Sequence, residues 1–273
     1  MKIETKSLSF AYGKEAPVFS GLSLSLSSKQ SIAMIGQNGA GKTTFVKLLK
    51  GLLVPKSGDI LFDGVSTAGK TAAQLAARIG LVFQNPGDQI FKNNVLDEVM
   101  FGPLHIGQSE AQAKEHAQDA LERVGLLGKQ DENPFDLGLP EQKMLAIASV
   151  LAMQTDAVIF DEPTIAQDAA GRARIQAIIQ ELVREGKLVI AILHDMDFVA
   201  DTLDRSVVFA GGRILADGPT AQVFADKESL QQAALEEPAS MRLGRLLGYQ
   251  EVFLTVKELA AHIQMGLSSN NDP

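Results

Sequence analysis

The sequence predicts an α/β fold in which a mainly helical block interrupts a strand-bearing core. Three observations carry that prediction. First, a glycine-rich loop, Gly36-Gln-Asn-Gly-Ala-Gly-Lys-Thr-Thr44, lies between an apolar β-like run, Ser31–Ile35, and a helix-like run, Thr43 to Lys50. Second, strand signals return at Ala157–Phe160, Leu188–Leu193 and Ser206–Phe209, with a long helical pattern near Ala169–Glu185 between the first two. That β-α-β order predicts parallel strands joined by a right-handed crossover. Third, the stretch from about 86 to 152 reads as helical, with Glu110–Val124 its best-patterned segment.

The remaining elements follow in chain order. Ile3–Phe10 alternates partly between apolar and polar residues, and Leu22–Leu26 alternates strictly as Leu-Ser-Leu-Ser-Leu. Pro55-Lys-Ser-Gly58 reads as a turn, followed by a short strand, Asp59–Phe62; Ile79–Phe83 is another strand. The last fifty residues read as a helical tail. Leu243, Leu246 and Leu247 fall at i, i+3, i+4 spacing and predict a packed face, against this chain or another. No internal repeat or low-complexity stretch is visible. The expected division is a core over 1–220, with the helical block about 86–152 inserted, and an extension over 221–273.

Composition narrows the functional classes. The chain has 273 residues, 45% hydrophobic and 21% charged, which is an ordinary globular balance. A net charge of -8 argues against a general nucleic-acid binder, whose affinity rests on basic surface. No apolar run is long enough to span a membrane. Met1-Lys-Ile-Glu-Thr-Lys lacks the apolar core of a secretory signal, and a cytoplasmic location is expected. There are no cysteines, hence no disulfide and no thiolate metal site.

The loop carries the chemistry. It fits G-x-x-x-x-G-K-[ST] in the strand–loop–helix context that makes such a loop bind phosphate. Gly36, Gly39 and Gly41, with Gln37, Asn38 and Ala40 between them, let successive N–H groups converge on an anion, and the helix behind adds its dipole. Lys42 is placed to reach the β/γ-phosphates of ATP, and Thr43, followed by Thr44, to ligate Mg2+. Hydrolysis also needs a metal-ordering carboxylate and a base. Ala157-Val-Ile-Phe-Asp161-Glu162 offers both at the end of an apolar strand: Asp161 for Mg2+ through water, Glu162 for the attacking water. Two adjacent acids also suit a solvated turn; the loop at 36–44 and the following Pro163-Thr164 favour the catalytic reading.

With these residues in place the sequence resembles the ATP-binding-cassette (ABC) ATPases over nearly its whole length. The resemblance implies a P-loop NTPase core with a mixed sheet, an antiparallel β N-terminal region, an inserted helical subdomain and a small helical C-terminal extension. Asp161-Glu-Pro-Thr164 matches the family's extended acidic motif. Gln84 matches the Q-loop glutamine, which contacts Mg2+ or the lytic water and senses the membrane partner. Asp168 matches the D-loop aspartate at the dimer interface, His194 the switch histidine that contacts the γ-phosphate, and Tyr12 the aromatic that stacks on adenine.

The resemblance narrows at Phe83-Gln-Asn-Pro-Gly-Asp-Gln-Ile-Phe91 and Val95-Leu-Asp-Glu-Val-Met-Phe-Gly-Pro103. These segments resemble the ATPase subunits of energy-coupling factor (ECF) transporters and cobalt or nickel importers. So do Leu235-Glu-Glu-Pro, Met241–Gly248 and Thr255-Val-Lys-Glu-Leu near the C-terminus. Such subunits dimerise beneath an integral transmembrane-coupling protein and drive uptake of a vitamin or metal ion through a substrate-binding membrane component. The resemblance thus implies a peripheral position on the cytoplasmic face of the membrane. It also suggests that the segment 85–102 receives a partner helix, with Asp88, Asp97 and Glu98 available to arginines.

One motif departs from the family. Where the signature Leu-Ser-Gly-Gly-Gln is expected, in register with Leu145-Ala-Ile-Ala148, this chain reads Leu137-Gly-Leu-Pro-Glu141. Gly138 has no hydroxyl, Leu139 adds bulk, and Pro140 has no N–H. Only the helix start survives as an anion-facing feature, since proline suits the first helical position. A second ATPase subunit with an intact signature, giving an asymmetric heterodimer, is favoured over a homodimer in which this variant is tolerated.

Overall fold

The computed structural model describes residues 1–13 and 16–269, with side chains described as far as 265. The last residues of the expected extension, 270–273, lie outside the described residues.

The N-terminal strands β1 (Lys2–Phe10), β2 (Phe19–Ser27), β4 (Ser57–Phe62) and β5 (Val65–Ser66) form a four-stranded sheet in the order β2-β1-β4-β5, antiparallel throughout. The second sheet holds β3 (Gln30–Ile35), β6 (Ile79–Val82), β7 (Ala157–Asp161), β8 (Leu188–Ile192), β9 (Arg205–Ala210) and β10 (Arg213–Pro219) in the order β10-β9-β3-β8-β7-β6. Five of its strands are parallel, and β10 closes the edge antiparallel to β9. The helical block comprises α3 (Val95–His105), α4 (Glu110–Val124) and α5 (Leu139–Leu151). It follows α1 (Lys42–Leu49) and α2 (Ala72–Ala76) and precedes α6 (Ala169–Arg184) and α7 (Met196–Thr202). The chain continues with α8 (Thr220–Ala225), α9 (Lys227–Gln232), α10 (Ala239–Leu246) and α11 (Val256–Ser269).

The parallel strands read as unbroken apolar runs because both faces of their sheet are buried. Successive side chains go to opposite layers. Ile32 and Met34 of β3, Ile159 of β7 and Ile190 of β8 join α1 and the antiparallel sheet in one core. Ala33, Ile35, Phe160 and Val189 join the helical block and α6 in the other. Strand β3 therefore sits at mid-sheet, between β8 and β9, with its C-terminal end aimed at the loop 36–41.

The leucine face of the extension is not packed within the chain. Leu243 is 48% exposed, Leu246 85% and Leu247 53%, because α10 turns Ser240, Met241 and Gly244 inward instead. Among the described residues this face thus stays largely open to solvent.

Lys50, which caps the C-terminus of α1, is buried, and its ammonium donates to the Ile79 carbonyl at the start of β6. Burial pushes its pKa down to about 8. Below that pH the amine is charged in both the folded and unfolded states, and the fold bears the full desolvation penalty. Between pH 8 and 10.5 only the unfolded chain holds the proton, so stability rises with pH. Against a Lys50→Met variant, wild type is therefore expected to gain up to about 3 kcal/mol in relative stability over that window. Paired denaturant unfolding curves at pH 7, 9 and 10.5 test this; a constant difference across them would refute it.

Candidate functional site

Four loops meet at the C-terminal edge of the parallel sheet, where ligands of open α/β folds bind. They follow β3, β6, β7 and β8 and carry the loop 36–41, Gln84, Glu162 and His194 respectively.

The loop's shape depends on two glycines. Gly36 has φ +146, and a Cβ there would lie 2.1 Å from the Phe209 carbonyl oxygen. Gly41, the N-cap of α1, has φ +102, and its Cβ would strike the Phe19 ring at 2.7 Å. Larger residues would push the loop off β9 on one side or off the start of β2 on the other. Lys42 is 5% exposed, and its ammonium donates to the carbonyls of Gly36 at 2.6 Å and Gln37 at 3.0 Å. Burial lowers its pKa, with Glu162 and Asp161 opposing. A cation is thus held inside the curl of the loop, where an anion would meet it.

Glu162 faces that loop. Gln84 Nε2 donates to its Oε2 at 3.0 Å, and His194 Nε2 lies 3.3 Å from its Oε1. Its backbone φ is +49, in the left-handed region, and its N–H donates to the Ile192 carbonyl at 3.0 Å. Such a conformation costs on the order of 1–3 kcal/mol and persists where neighbours over-determine it. Asp161, one residue earlier, is buried at the end of β7. Burial first, and the Glu162 charge second, raise its carboxyl above the usual range.

A cavity of about 250 Å³ is lined by Asn38, Gly39, Ala40, Gly41, Lys42, Thr43 and Thr44 together with Tyr12, Val18, Glu162, Ile192 and His194. Tyr12 is 41% exposed; its hydroxyl is 3.1 Å from Thr44 Oγ1, and its ring meets Phe10 edge-on at 4.9 Å. Gly36 and Gln37 line a neighbouring cleft of about 310 Å³ that also includes His194 and residues 234–237 of the extension. Gln84 reaches the cluster through its amide rather than by lining the cavity.

Asp168 stands outside this cluster. It is the N-cap of α6, and its Oδ1 accepts from the Gly171 N–H at 2.8 Å, satisfying a donor the helix start leaves free. Within this chain it does not line the nucleotide cavity; it is a helix cap on an exposed loop.

Glu98 also differs from expectation. It is 3% exposed, and its Oε2 accepts from the N–H groups of Phe91 at 3.0 Å and Lys92 at 2.8 Å. It braces the loop before α3 and is not a free surface acid, whereas Asp88 and Asp97 are exposed. Beside it runs a groove of about 400 Å³ lined by Phe83, Phe91, Phe101, Leu52, Ile106 and Met153 among others. Lys92 lies 5.5 Å from the Phe91 ring centroid and 4.9 Å from that of Phe101.

At the variant signature, α5 begins at Leu139 with Gly138 as an N-cap that makes no side-chain hydrogen bond. Pro140 thus occupies the second helical position rather than the first. Residues 138–140 are exposed. Glu141 pairs with Lys129 at 2.7 Å, and Gln167 Nε2 donates to the Pro140 carbonyl at 3.0 Å.

Sequence reasoning passed over Lys143. This residue is 2% exposed, and its ammonium donates to the carbonyls of Phe83 at 3.0 Å, Gln84 at 2.6 Å and Asp161 at 3.4 Å. The available signal was a lone cation opening an apolar run, Met144–Leu151, on a helix buried nearly all round.

Converging amides, a cation beneath them and a carboxylate facing them suit the phosphates of a nucleoside triphosphate, and they define a P-loop nucleotide-binding protein. The ABC transporter family model matches residues 19–165. A Pyrococcus furiosus protein provisionally described as an ABC transporter ATP-binding protein is 41% identical over 94% of this chain and 97% of its own length. An energy-coupling factor transporter ATP-binding protein of Methanothermobacter thermautotrophicus is 34% identical over 94% of this chain and 84% of its own. Among solved structures, cbiO1 of Clostridium perfringens, part of the ABC transporter complex cbiONQ, superposes with a TM-score of 0.75 at 31% identity. The match covers 90% of this chain and 98% of that one. The chain belongs to the ABC transporter family and is one of its ATP-hydrolysing cassettes.

Proposed function

We propose that this chain is the ATP-binding and ATP-hydrolysing subunit of an ECF-type importer that takes up a vitamin or transition-metal ion. It works at the cytoplasmic face of the membrane, paired with a second ABC ATPase subunit. The observation that carries the enzymatic reading is the convergence of Gln84 and His194 on Glu162, opposite the phosphate loop. Similarity to relatives named for energy-coupling factor transporters, and to cbiO1, supports the transporter class. No helix among the described residues is long and apolar enough to cross a membrane, so the membrane path belongs to partner proteins.

In this reading Tyr12 stacks on adenine, and the amides of 37–44 hold the phosphates. Lys42 exchanges the Gly36 and Gln37 carbonyls for β/γ-phosphate oxygens. The hard oxygen donors suit Mg2+, which the Thr43 hydroxyl and the Gln84 amide oxygen would ligate and the Asp161 carboxylate would hold through water. Among the described residues no cluster of three or more acidic, histidine or cysteine groups exists that could cage a metal alone. That matches an ion shared with substrate phosphates. When bound, Mg2+ neutralises charge on those phosphates. Glu162 orients water and takes its proton; Gln84 and His194 hold the carboxylate in place from either side. His194 is also placed to meet the γ-phosphate. Asp168, exposed after the acidic motif, faces the second subunit.

The pairing is asymmetric in this proposal. Each ATP lies between one subunit's loop and the other's signature. This chain provides Lys42, Glu162 and His194 to one site but offers no hydroxyl, and no N–H at Pro140, to the other.

The aromatic groove beside α3 is the proposed seat for a helix of the transmembrane-coupling protein. Its floor is apolar, and Asp88 and Asp97, not Glu98, are the acids left to pair with arginines. Phe91→Asp combined with Asp88→Lys and Asp97→Lys is expected to release the subunit from native membranes without changing its nucleotide affinity. Membrane flotation and nucleotide titration check this; retained flotation of the folded triple variant would count against the groove. The broader proposal is tested by purifying the tagged chain from native membranes. Recovery of a second ABC ATPase and two integral proteins is expected, and recovery of the chain alone, or with a soluble assembly, would reject it.

A further inference from the structure

The buried ammonium of Lys143 ties three segments of the site together. Lysine has three N–H donors and no acceptor. Here all three are used, on Phe83 O, Gln84 O and Asp161 O. The first two belong to the segment leaving β6, the third to the end of β7. Lys143 itself stands on α5, the helix that begins at the variant signature. A closed circuit results. Lys143 holds the main chain of Gln84; the Gln84 amide holds the Glu162 carboxylate; Glu162 follows Asp161; and Lys143 holds the main chain of Asp161. Among the described residues no other side-chain cation donates to any of these three carbonyls.

We propose that Lys143 is a positioning residue for the metal-dependent half of the ATP site, fixing the main chains of Gln84 and Asp161 relative to one another. Lys143 touches neither phosphate nor metal. It acts through the two backbones it binds, so phosphate-loop binding of nucleotide is independent of it. Metal dependence and turnover are not. Removing the ammonium takes this donor from the buried Asp161 carbonyl and from the part-buried carbonyls of Phe83 and Gln84, and the Gln84 segment is then free to part from β7. The circuit also gives α5 a direct mechanical connection to the catalytic carboxylates, through one side chain.

The test separates metal-free from metal-dependent binding. A ribose-labelled fluorescent ATP is titrated in excess chelator, and Mg2+ is then titrated at fixed nucleotide, for wild type, Lys143→Met and Lys143→Gln. For Lys143→Met, apparent Mg2+ affinity and turnover are expected to fall roughly tenfold or more, the loss typical of a charge-assisted hydrogen bond, while metal-free nucleotide affinity stays within about twofold. Lys143→Gln keeps two N–H donors and is expected to recover part of the loss; it also supplies the reading if the methionine variant fails to fold. A folded variant with unchanged Mg2+ dependence overturns the proposal. So does a parallel fall in metal-free affinity and melting temperature with no change in Mg2+ dependence, which marks a merely structural lysine. The proposal rests on the roles given to Gln84 and Asp161, so Asp161→Asn and Gln84→Ala are run beside it. If those variants also leave Mg2+ dependence intact, the site assignment has failed; if they alone impair it, only the Lys143 proposal has.

Discussion

Glu162→Gln is expected to lower steady-state ATP turnover by about 10²-fold or more while leaving ATP binding intact, the size of effect that losing an acid–base group produces. The substitution changes one oxygen to an NH2 and little else. The remaining carbonyl oxygen can still accept from Gln84 Nε2, so the side chain keeps its place beside His194. What disappears is the capacity to take a proton from water. With hydrolysis blocked, the ATP-bound dimer should accumulate, visible as a larger species in size-exclusion chromatography run with ATP. Lys42→Ala is expected to behave differently. It removes the buried cation from inside the phosphate loop, so nucleotide affinity itself should weaken. Near wild-type turnover in the Glu162→Gln complex would remove Glu162 from the role of base.

How far the sequence can be read depends on whether a residue's role is local. The loop 36–44 is contiguous, and its strand and helix flank it directly; β7 and β8, buried on both faces, read as unbroken apolar runs. These were legible because pattern and environment coincide. Strand β10 was not. Arg213–Pro219 includes a glycine and a proline, none of it is fully buried, and it exists only because β9 offers a free edge. Helix α2 is five residues long and was missed, although Thr71 and Gln74 form a capping box that announces it. Glu98 was misread for a related reason. An acid among acids reads as surface, but the N–H groups of Phe91 and Lys92 draw this one inward. Lys143 binds carbonyls some 60 residues earlier in the chain and 18 later, a partnership no local pattern encodes. The cluster of Gln84, Glu162 and His194 stands between these extremes. Glu162 was read from the acidic pair that ends an apolar strand, Gln84 and His194 from resemblance to a family, and their mutual distances could come only from the fold.

Restoring the signature is expected to turn this chain into a more active ATPase on its own. The repair is Gly138→Ser, Leu139→Gly and Pro140→Gly together. The backbone tolerates the first change: Gly138 has φ -64, and the nearest atom to a Cβ there is Pro140 Cδ at 3.7 Å, an ordinary contact. A serine at this N-cap also supplies the side-chain acceptor that α5 lacks, worth about 0.5–2 kcal/mol. The two glycines oppose that gain, each costing up to about 1 kcal/mol in a helix. A thermal melt therefore accompanies the assay. Functionally, the repair returns one hydroxyl and one N–H to a face that, in the proposed head-to-tail dimer, looks onto the opposite γ-phosphate. A hydrogen bond to a charged group contributes roughly 1.5–3 kcal/mol, so a single regained contact is expected to raise turnover by about an order of magnitude or more. Because a homodimer of the repaired chain would complete both sites, the gain should appear without any partner present. Wild type alone should be slow, and should speed up when mixed with an ATPase subunit whose signature is intact. If purified wild type already turns over as fast as the repaired chain, Leu137–Glu141 is a working signature, and the case for an asymmetric pair falls with it.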